Sequence, residues 1–196
     1  MLSVEKTILV LLAAGRSERF GDGGSKLEKG FLGRPLGLHV AVALEDMPFQ
    51  ERIAVTGRAA LNFEAHHFRV MPNPAPERGI ASSVKIGVAY AREEGAEAVL
   101  IALADMPRVT AAHVYRLFDA ARNGDTVVAS SDGREPMPPV LFGADRFDTL
   151  LALEGDQGAR DLIRSGRHVV TAPAELIDVD TPAALERLRA LVQAAR

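Results

Sequence analysis

The feature of this 196-residue sequence that most restricts its fold is a series of short, continuously apolar segments rich in valine, isoleucine and leucine. Strands buried on both faces show this continuous pattern, whereas strands with one face in water alternate between apolar and polar residues. The segments therefore predict strands of a sheet that helices cover on both sides. They lie at residues 7–14, 52–56, 68–72, 98–104, 126–130 and 168–172.

Segments with apolar residues at helical spacing lie between and after these strands. Helices are predicted at 36–45, 80–94, 110–122, 145–153, 157–165 and 181–195. Thr110 and Thr181 are suited to cap two of them, and Pro182 is suited to a first helical position. Strands that alternate with helices predict one domain over residues 1–196, an α/β protein with three α/β/α layers and a mostly parallel sheet.

Composition excludes several classes of function. A net charge of −3 and an aromatic content of 5% are unfavourable for binding nucleic acid. The chain has no cysteine, and its five histidines form no zinc triad pattern. The longest apolar run, 8–14, is far shorter than the roughly 20 residues that a membrane span needs. We expect a cytoplasmic protein with neither nucleic acid nor membrane as a partner.

The segment after the first predicted strand carries the strongest functional signal. It reads LAAGRSERFG over residues 12–21, and Ser25 and Lys26 follow a glycine cluster. Small residues let a ligand approach the backbone, whose N–H groups can hold anionic oxygens. Arg16, Arg19 and Lys26 add positive charge at the strand end where α/β sheets bind ligands. The segment predicts a polyphosphate site, although it contains neither the P-loop pattern nor the glycine fingerprint of dinucleotide-dependent oxidoreductases.

Two aspartates are candidates for binding a metal at the same edge of the sheet. Asp105 ends the predicted strand 98–104 and precedes Pro107, so its carboxylate is expected to project into the ligand crevice. Carboxylate oxygens suit Mg²⁺, which commonly takes one or two of them together with substrate phosphates. Asp180 precedes the last helix, and two roles stay open for it: approaching the metal or capping that helix. A turn or cap role is likewise the alternative for Asp105.

These segments together resemble the MobA/MocA-like nucleotidyltransferases, the cytidylyltransferases and guanylyltransferases of the molybdenum cofactor. Motifs in the order of that family extend over most of the chain: LAAGRSERFG at 12–21, KL at 26–27, GRPL at 33–36, GIASSV at 79–84, LADMP at 103–107, PVLF at 139–142, GDQGAR at 155–160 and IDVDTP at 177–182. Lys29 competes with Lys26 for the lysine of the first motif. The spacing to GRPL favours Lys26.

The resemblance implies a Rossmann-like nucleotide-diphospho-sugar transferase fold with Mg²⁺ as cofactor. It implies catalytic roles for Arg19, Lys26 and Asp105, and metal binding by Asp105 and Asp180. The implied nucleotide-binding residues are Leu12, Ala13, Ala14, Gly15, Arg16, Lys26 and Ser83. The implied reaction transfers a nucleoside monophosphate from a nucleoside triphosphate, with CTP favoured over GTP, to a phosphate-bearing acceptor, and releases pyrophosphate.

The acceptor implied by the resemblance is molybdopterin, with transient contact to a molybdoenzyme or its chaperone. One departure weakens the choice of that acceptor: Met137 and Pro138 stand where family members carry a glycine and a polar residue. A sugar, alcohol or cobinamide phosphate is therefore an alternative acceptor. A nucleotide-binding module without turnover is the alternative from a different functional class, and the oligomeric state stays open.

Overall fold

The structure is a computed structural model of the chain and describes residues 1–21, 24–155 and 159–194. Its strands are β1 (Thr7–Ala13), β2 (Gly30–Phe31), β3 (Arg34–Pro35), β4 (Glu51–Thr56), β5 (Arg69–Pro72), β6 (Ala98–Leu103), β7 (Val127–Ser131), β8 (Pro136–Gly143) and β9 (Arg167–Val170). Its α-helices are α1 (His39–Leu44), α2 (Ile80–Glu93), α3 (Ala111–Ala120), α4 (Phe147–Leu151), α5 (Arg160–Ser165) and α6 (Pro182–Ala194).

The central sheet has seven strands in the described residues, in the order β5–β4–β1–β6–β8–β7–β9. The neighbours β5, β4, β1 and β6 are parallel, β8 is antiparallel to β6 and to β7, and β9 is parallel to β7. The prediction of a mostly parallel α/β sheet is confirmed. The antiparallel strand β8 does not begin as an apolar run because three of its first four residues are prolines.

Alternate side chains of the fully buried strand β1 enter two separate cores. Leu9 and Leu11 face the layer that contains α1 and α3. Ile8 and Val10 face the layer that contains α2, α4 and α5. The sheet is therefore covered on both faces, which is why its central strands are continuously apolar in the sequence. The edge strands β5 and β9 have exposed or half-buried side chains, so the buried character predicted for these two segments is wrong. Helix α6 packs outside these layers, on a smaller cluster that includes Phe20.

Two of the predicted helices begin as 3₁₀ turns, at Leu36–Leu38 and Ala144–Arg146, before they become α1 and α4. The caps are those predicted. The Thr110 hydroxyl accepts a hydrogen bond from the His113 N–H at 3.1 Å, and the Thr181 hydroxyl accepts one from the Ala184 N–H at 3.1 Å. The predicted start of the helix at 157, the end of the last helix at 195 and residues 156–158 of the GDQGAR motif lie outside the described residues.

Close packing of α2 onto β1 places the start of that helix beside the end of the strand. A Cβ atom at Gly87 would lie 2.4 Å from the Cγ1 atom of Val10, so only glycine permits this approach. No helix in the described part of the chain is long and apolar enough to cross a membrane.

Candidate active site

A cleft of about 480 Å³ opens at the carboxyl ends of β1 and β6. The turn after β1 forms one wall, the start of α2 forms another, and the residues that follow β6 close one end. Its lining residues are Leu12, Ala14, Gly15, Arg16, Ser17, Arg19, Lys26, Pro76, Glu77, Gly79, Ile80, Ser83, Leu103, Asp105, Arg160 and Asp180. The cleft therefore lies at the edge where parallel α/β sheets bind their ligands.

Ser17 fixes the turn after β1. Its backbone is left-handed, with φ 56° and ψ 27°, and its hydroxyl accepts a hydrogen bond from the backbone N–H of Lys26 at 2.9 Å. The turn continues into a 3₁₀ helix that ends in Phe20, whose side chain is buried against α6. These contacts tie the segment that carries Arg19 to the segment that carries Lys26.

The Lys26 ammonium group joins the two aspartates. Its Nζ atom lies 2.6 Å from Asp105 Oδ2 and 2.6 Å from Asp180 Oδ1. The Nη1 atom of Arg19 lies 3.1 Å from the other oxygen of Asp180. Three segments that are distant in the sequence thus converge on one charged cluster at the end of the cleft.

The backbone near the two aspartates holds them in place. The Val179 N–H donates to the Asp105 carbonyl at 2.9 Å, so the segment before α6 is bound to the turn after β6. Met106 and Val179 anchor this contact because both side chains are buried. Since Thr110 and Thr181 cap the following helices, the carboxylates of Asp105 and Asp180 are directed to Lys26 instead.

The electrostatic surroundings shift the pKa values of the two carboxyl groups in opposite directions. Burial raises the pKa of Asp105, and the nearby ammonium of Lys26 only partly offsets this effect. The hydrogen bond from Lys26 lowers the pKa of Asp180, which is 43% exposed. Burial acts to lower the pKa of Lys26, but the charges and hydrogen bonds of both aspartates outweigh burial and raise it. Opposed pKa shifts within one cleft are typical of catalytic sites.

One atom of this cluster fits an additional cation. Asp105 Oδ1 is buried and has no hydrogen-bond partner in the described residues. An ionised carboxylate oxygen in this state is costly, and a divalent cation would satisfy it. Across residues 1–21, 24–155 and 159–194, no group of three or more histidines and carboxylates is placed to hold a metal. The two aspartates are nevertheless enough for Mg²⁺ or Mn²⁺ when phosphates supply further oxygens.

The structure brings most of the predicted site residues to the cleft. Those that line it are Leu12, Ala14, Gly15, Arg16, Arg19, Lys26, Ser83, Asp105 and Asp180. Ala13 does not line it, because the alternation of β1 turns its side chain into the core beneath α1 and α3. Lys29, the competitor of Lys26, is not among the lining residues either.

Several lining residues had no role assigned from the sequence. Arg160 belongs to the GDQGAR motif. Glu77 lies before the start of α2, and Ile80 is the first residue of that helix. Their approach to β1 depends on how α2 and α5 pack on the sheet, which no local pattern reports. For Arg160 the motif itself was the available signal.

Comparison with known proteins identifies the chain. The family described as "MobA-like NTP transferase domain" matches this chain over residues 9–171. The chain belongs to the MobA-like NTP transferase family. A curated relative, the purine catabolism protein PucB of Bacillus subtilis (strain 168), is 30% identical over 92% of this chain and 94% of its own.

Solved structures agree with this MobA-like fold. A nucleotidyl transferase from Methanothermobacter thermautotroptrophicus has a TM-score of 0.78 at 24% identity, covering 97% of this chain and 99% of its own. The homologue of Rv0371c from Mycobacterium sp. strain JC1 has a TM-score of 0.78 at 27% identity, covering 99% and 100%. Rv0371c of Mycobacterium tuberculosis H37Rv, as a manganese complex, has a TM-score of 0.70 at 26% identity, covering 94% and 98%.

The family assignment defines the general chemistry. This MobA-like chain is a nucleotidyltransferase, and its substrate class is the nucleoside triphosphates. Transferases of this kind use divalent metal ions, and the solved manganese complex is one such case.

Proposed function

We propose that this protein transfers a nucleoside monophosphate from CTP to a phosphate-bearing acceptor, the molybdopterin cofactor, and releases pyrophosphate with Mg²⁺ as cofactor. The observation that carries the proposal is the cluster of Lys26, Asp105 and Asp180 at the end of the cleft, in which Lys26 Nζ lies 2.6 Å from a carboxylate oxygen of each aspartate. Such a cluster offers both a cation for phosphate oxygens and a carboxylate pair for a metal.

In this reaction an oxygen of the acceptor's terminal phosphate attacks the α-phosphorus of the triphosphate. A new P–O bond forms, the bond between the α-phosphorus and its bridging oxygen breaks, and pyrophosphate leaves with the electron pair. The acceptor phosphate is already ionised near neutral pH, so the reaction requires no strong general base. The protein contributes positioning and charge stabilisation.

Each site residue has a part in this scheme. Leu12, Ala14, Gly15, Arg16 and Ser83 hold the nucleotide, because they line the cleft beside the start of α2. Ala13 links Leu12 to Ala14 through the backbone and directs its side chain into the core. Arg19 and Lys26 neutralise the negative charge that develops on pyrophosphate. Asp105 and Asp180 would hold Mg²⁺, which when bound supplies Lewis acidity to the phosphates.

The choice of acceptor rests on the family and on one relative. PucB is named for purine catabolism, and the family is MobA-like. An acceptor of the molybdopterin type goes together with transient contact to a molybdoenzyme or its chaperone, and we place the protein in the cytoplasm. A second candidate, transfer to a sugar, alcohol or cobinamide phosphate, is favoured by the apolar Met137 and Pro138 at a position where the family carries a polar residue.

A panel of nucleotides tests the donor. CTP, GTP, ATP and UTP are each added with Mg²⁺, and the thermal unfolding midpoint is measured by differential scanning fluorimetry. Ligands that bind only the folded state raise this midpoint. We expect the largest rise with CTP. A larger rise with GTP would overturn the choice of base, and no rise with any nucleotide would overturn the function.

Release of pyrophosphate tests the acceptor. The protein is incubated with CTP, Mg²⁺ and either molybdopterin cofactor or a sugar, alcohol or cobinamide phosphate. We expect release only with the molybdopterin cofactor. Release with another acceptor alone would establish the second candidate, and nucleotide binding without release in any reaction would indicate a binding module.

A further inference from the structure

The strand order divides the cleft between two halves of the sheet. The nucleotide-binding candidates come from the turn after β1 and from α2, which pack in the half that contains β5, β4, β1 and β6. Asp105 follows β6, the last strand of that half. Beyond it lie β8, β7 and β9, from which none of the nucleotide-binding candidates comes. A second substrate that meets the nucleotide at Asp105 therefore has this other half available to it.

Among the described residues, Arg160 is the cationic side chain that lines the cleft from this second half. It begins α5, which packs against β7 and β8. The chain just before α5 is tied to the start of α2, because the Ala81 N–H donates to the Gly155 carbonyl at 3.2 Å. Arg160 lines the same cleft as Arg16 and Arg19, which belong to the turn after β1.

The guanidinium group of Arg160 is available for a ligand. The side chain is exposed, and within the described ranges it forms no hydrogen bond or ion pair. Arg19, in contrast, is committed to Asp180. Guanidinium groups bind phosphate through two parallel hydrogen bonds, so an unpaired arginine in a phosphate-handling cleft suits a phosphate ester.

We propose that Arg160 binds the phosphate group of the acceptor and presents it to the nucleotide at Asp105. This inference rests on the proposed function, because it requires two phosphate-bearing substrates in one cleft. It assigns the acceptor to the β8–β7–β9 half of the sheet, and it makes Arg160 an acceptor-binding residue with no part in holding the triphosphate.

The test compares the variants Arg160→Gln and Arg164→Gln. Arg164 is the matched control, since it is an exposed arginine on the same helix that does not line the cleft. Binding of cytidine 5′-(α,β-methylene)triphosphate with Mg²⁺ is measured first by calorimetry. Inorganic phosphate is then titrated into each protein, both saturated with this analogue and free of it.

We expect both variants to bind the analogue within about twofold of the unsubstituted protein. With the analogue bound, Arg160→Gln should bind phosphate at least about tenfold more weakly, Arg160→Lys should be intermediate, and Arg164→Gln should be unchanged. Equal phosphate binding by Arg160→Gln and the unsubstituted protein would overturn the proposal. So would an equal loss in Arg164→Gln, or a tenfold loss of analogue binding in Arg160→Gln.

The two proposals fail differently. If the unsubstituted protein binds phosphate through Arg160 but does not bind the analogue, the proposed function fails and the anion site stands. If it binds the analogue and Arg160→Gln does not alter phosphate binding, the proposed function stands and the role of Arg160 fails.

Discussion

The neighbouring strands β1 and β6 have a lysine–carboxylate pair at each end, and the N–O distance is 2.6 Å in both. At the amino end, the side chains of Lys6 and Glu97 are 62% and 47% exposed. At the carboxyl end, those of Lys26 and Asp105 are 9% and 18% exposed. The two pairs share their geometry and differ in their access to water.

This difference separates a surface contact from a site. An exposed ion pair is screened by water and adds little to stability. A buried pair must offset the cost of removing two charges from water. The Lys26 pair is also shared with Asp180, and it leaves Asp105 Oδ1 without a partner in the described residues. Such an arrangement is poor for stability alone and suits a site that binds a cation and phosphates.

The largest effect is expected from Asp105→Asn. This change removes the charge that would hold the metal and keeps the shape of the side chain, so transfer should fall by about a thousandfold or more. The fold should be retained, because burial already disfavours the charged form of Asp105. Pyrophosphate release and circular dichroism provide the measurements. Glu97→Gln is the matched control at the opposite end, and full Mg²⁺-dependent activity in Asp105→Asn would refute the metal assignment.

A smaller loss is expected from Lys26→Ala. Without the ammonium group, the charge on the leaving pyrophosphate is less well neutralised, and the rate should fall at least about tenfold, or ~1.4 kcal/mol in the activation barrier. Steady-state kinetics with the nucleotide saturating measure this effect. Lys6→Ala removes the other lysine of the comparison and should leave the rate unchanged. A similar rate loss in both variants would remove the distinction between the two pairs.

A variant of Tyr90 tests whether the edge of the sheet at the amino ends of the parallel strands contributes to stability and not to activity. Burial, together with the hydrogen bond that its hydroxyl donates to Glu51, raises the pKa of Tyr90 to about 12. The neutral phenol is thus favoured in the folded state, so its contribution is complete below pH 10 and is lost as the pH rises towards 12. At pH 8, Tyr90→Phe should be about 1 kcal/mol less stable in urea unfolding. This deficit should shrink between pH 10 and 12, while activity at neutral pH stays unchanged; a deficit that is constant with pH would contradict the assignment.

The smallest effect is expected from Glu97→Gln. The hydrogen bond and charge of Glu97 raise the pKa of Lys6, but both groups are well exposed, so the change should alter neither activity nor thermal unfolding measurably. Scanning calorimetry at low and high salt provides the measurement. A clear loss of stability at both salt concentrations would show that exposure does not separate the two lysine pairs.

Much of this fold could be predicted from local patterns. The continuous apolar runs identified the inner strands as buried, although two runs belong to the exposed edge strands β5 and β9. Thr110 and Thr181 marked helix starts because their hydroxyls cap the next turn. The turn after β1 and the residue after β6 were recognisable as ligand-binding positions, since the ends of buried parallel strands meet at one edge.

Other parts depend on contacts between distant segments. The left-handed backbone of Ser17 is held by the bond to the Lys26 N–H, and nothing in its neighbours in sequence requires it. Arg160 reaches the cleft only because α5 packs against β7 and β8. Strand β8 lies between β6 and β7 although it follows β7 in the chain, so its place in the sheet is a tertiary property.

The sequence by itself determined the layered α/β class, the family and the residue types available to the site, because periodicity and motif spacing are local properties. Motif spacing favoured Lys26 over Lys29, but only the tertiary structure placed Lys26 among the residues that line the cleft. It also directed Asp180 to that lysine while Thr181 capped the helix. The physical reason is burial: two lysine pairs of equal length differ in their surroundings, and those surroundings are made by segments that meet only in the folded chain.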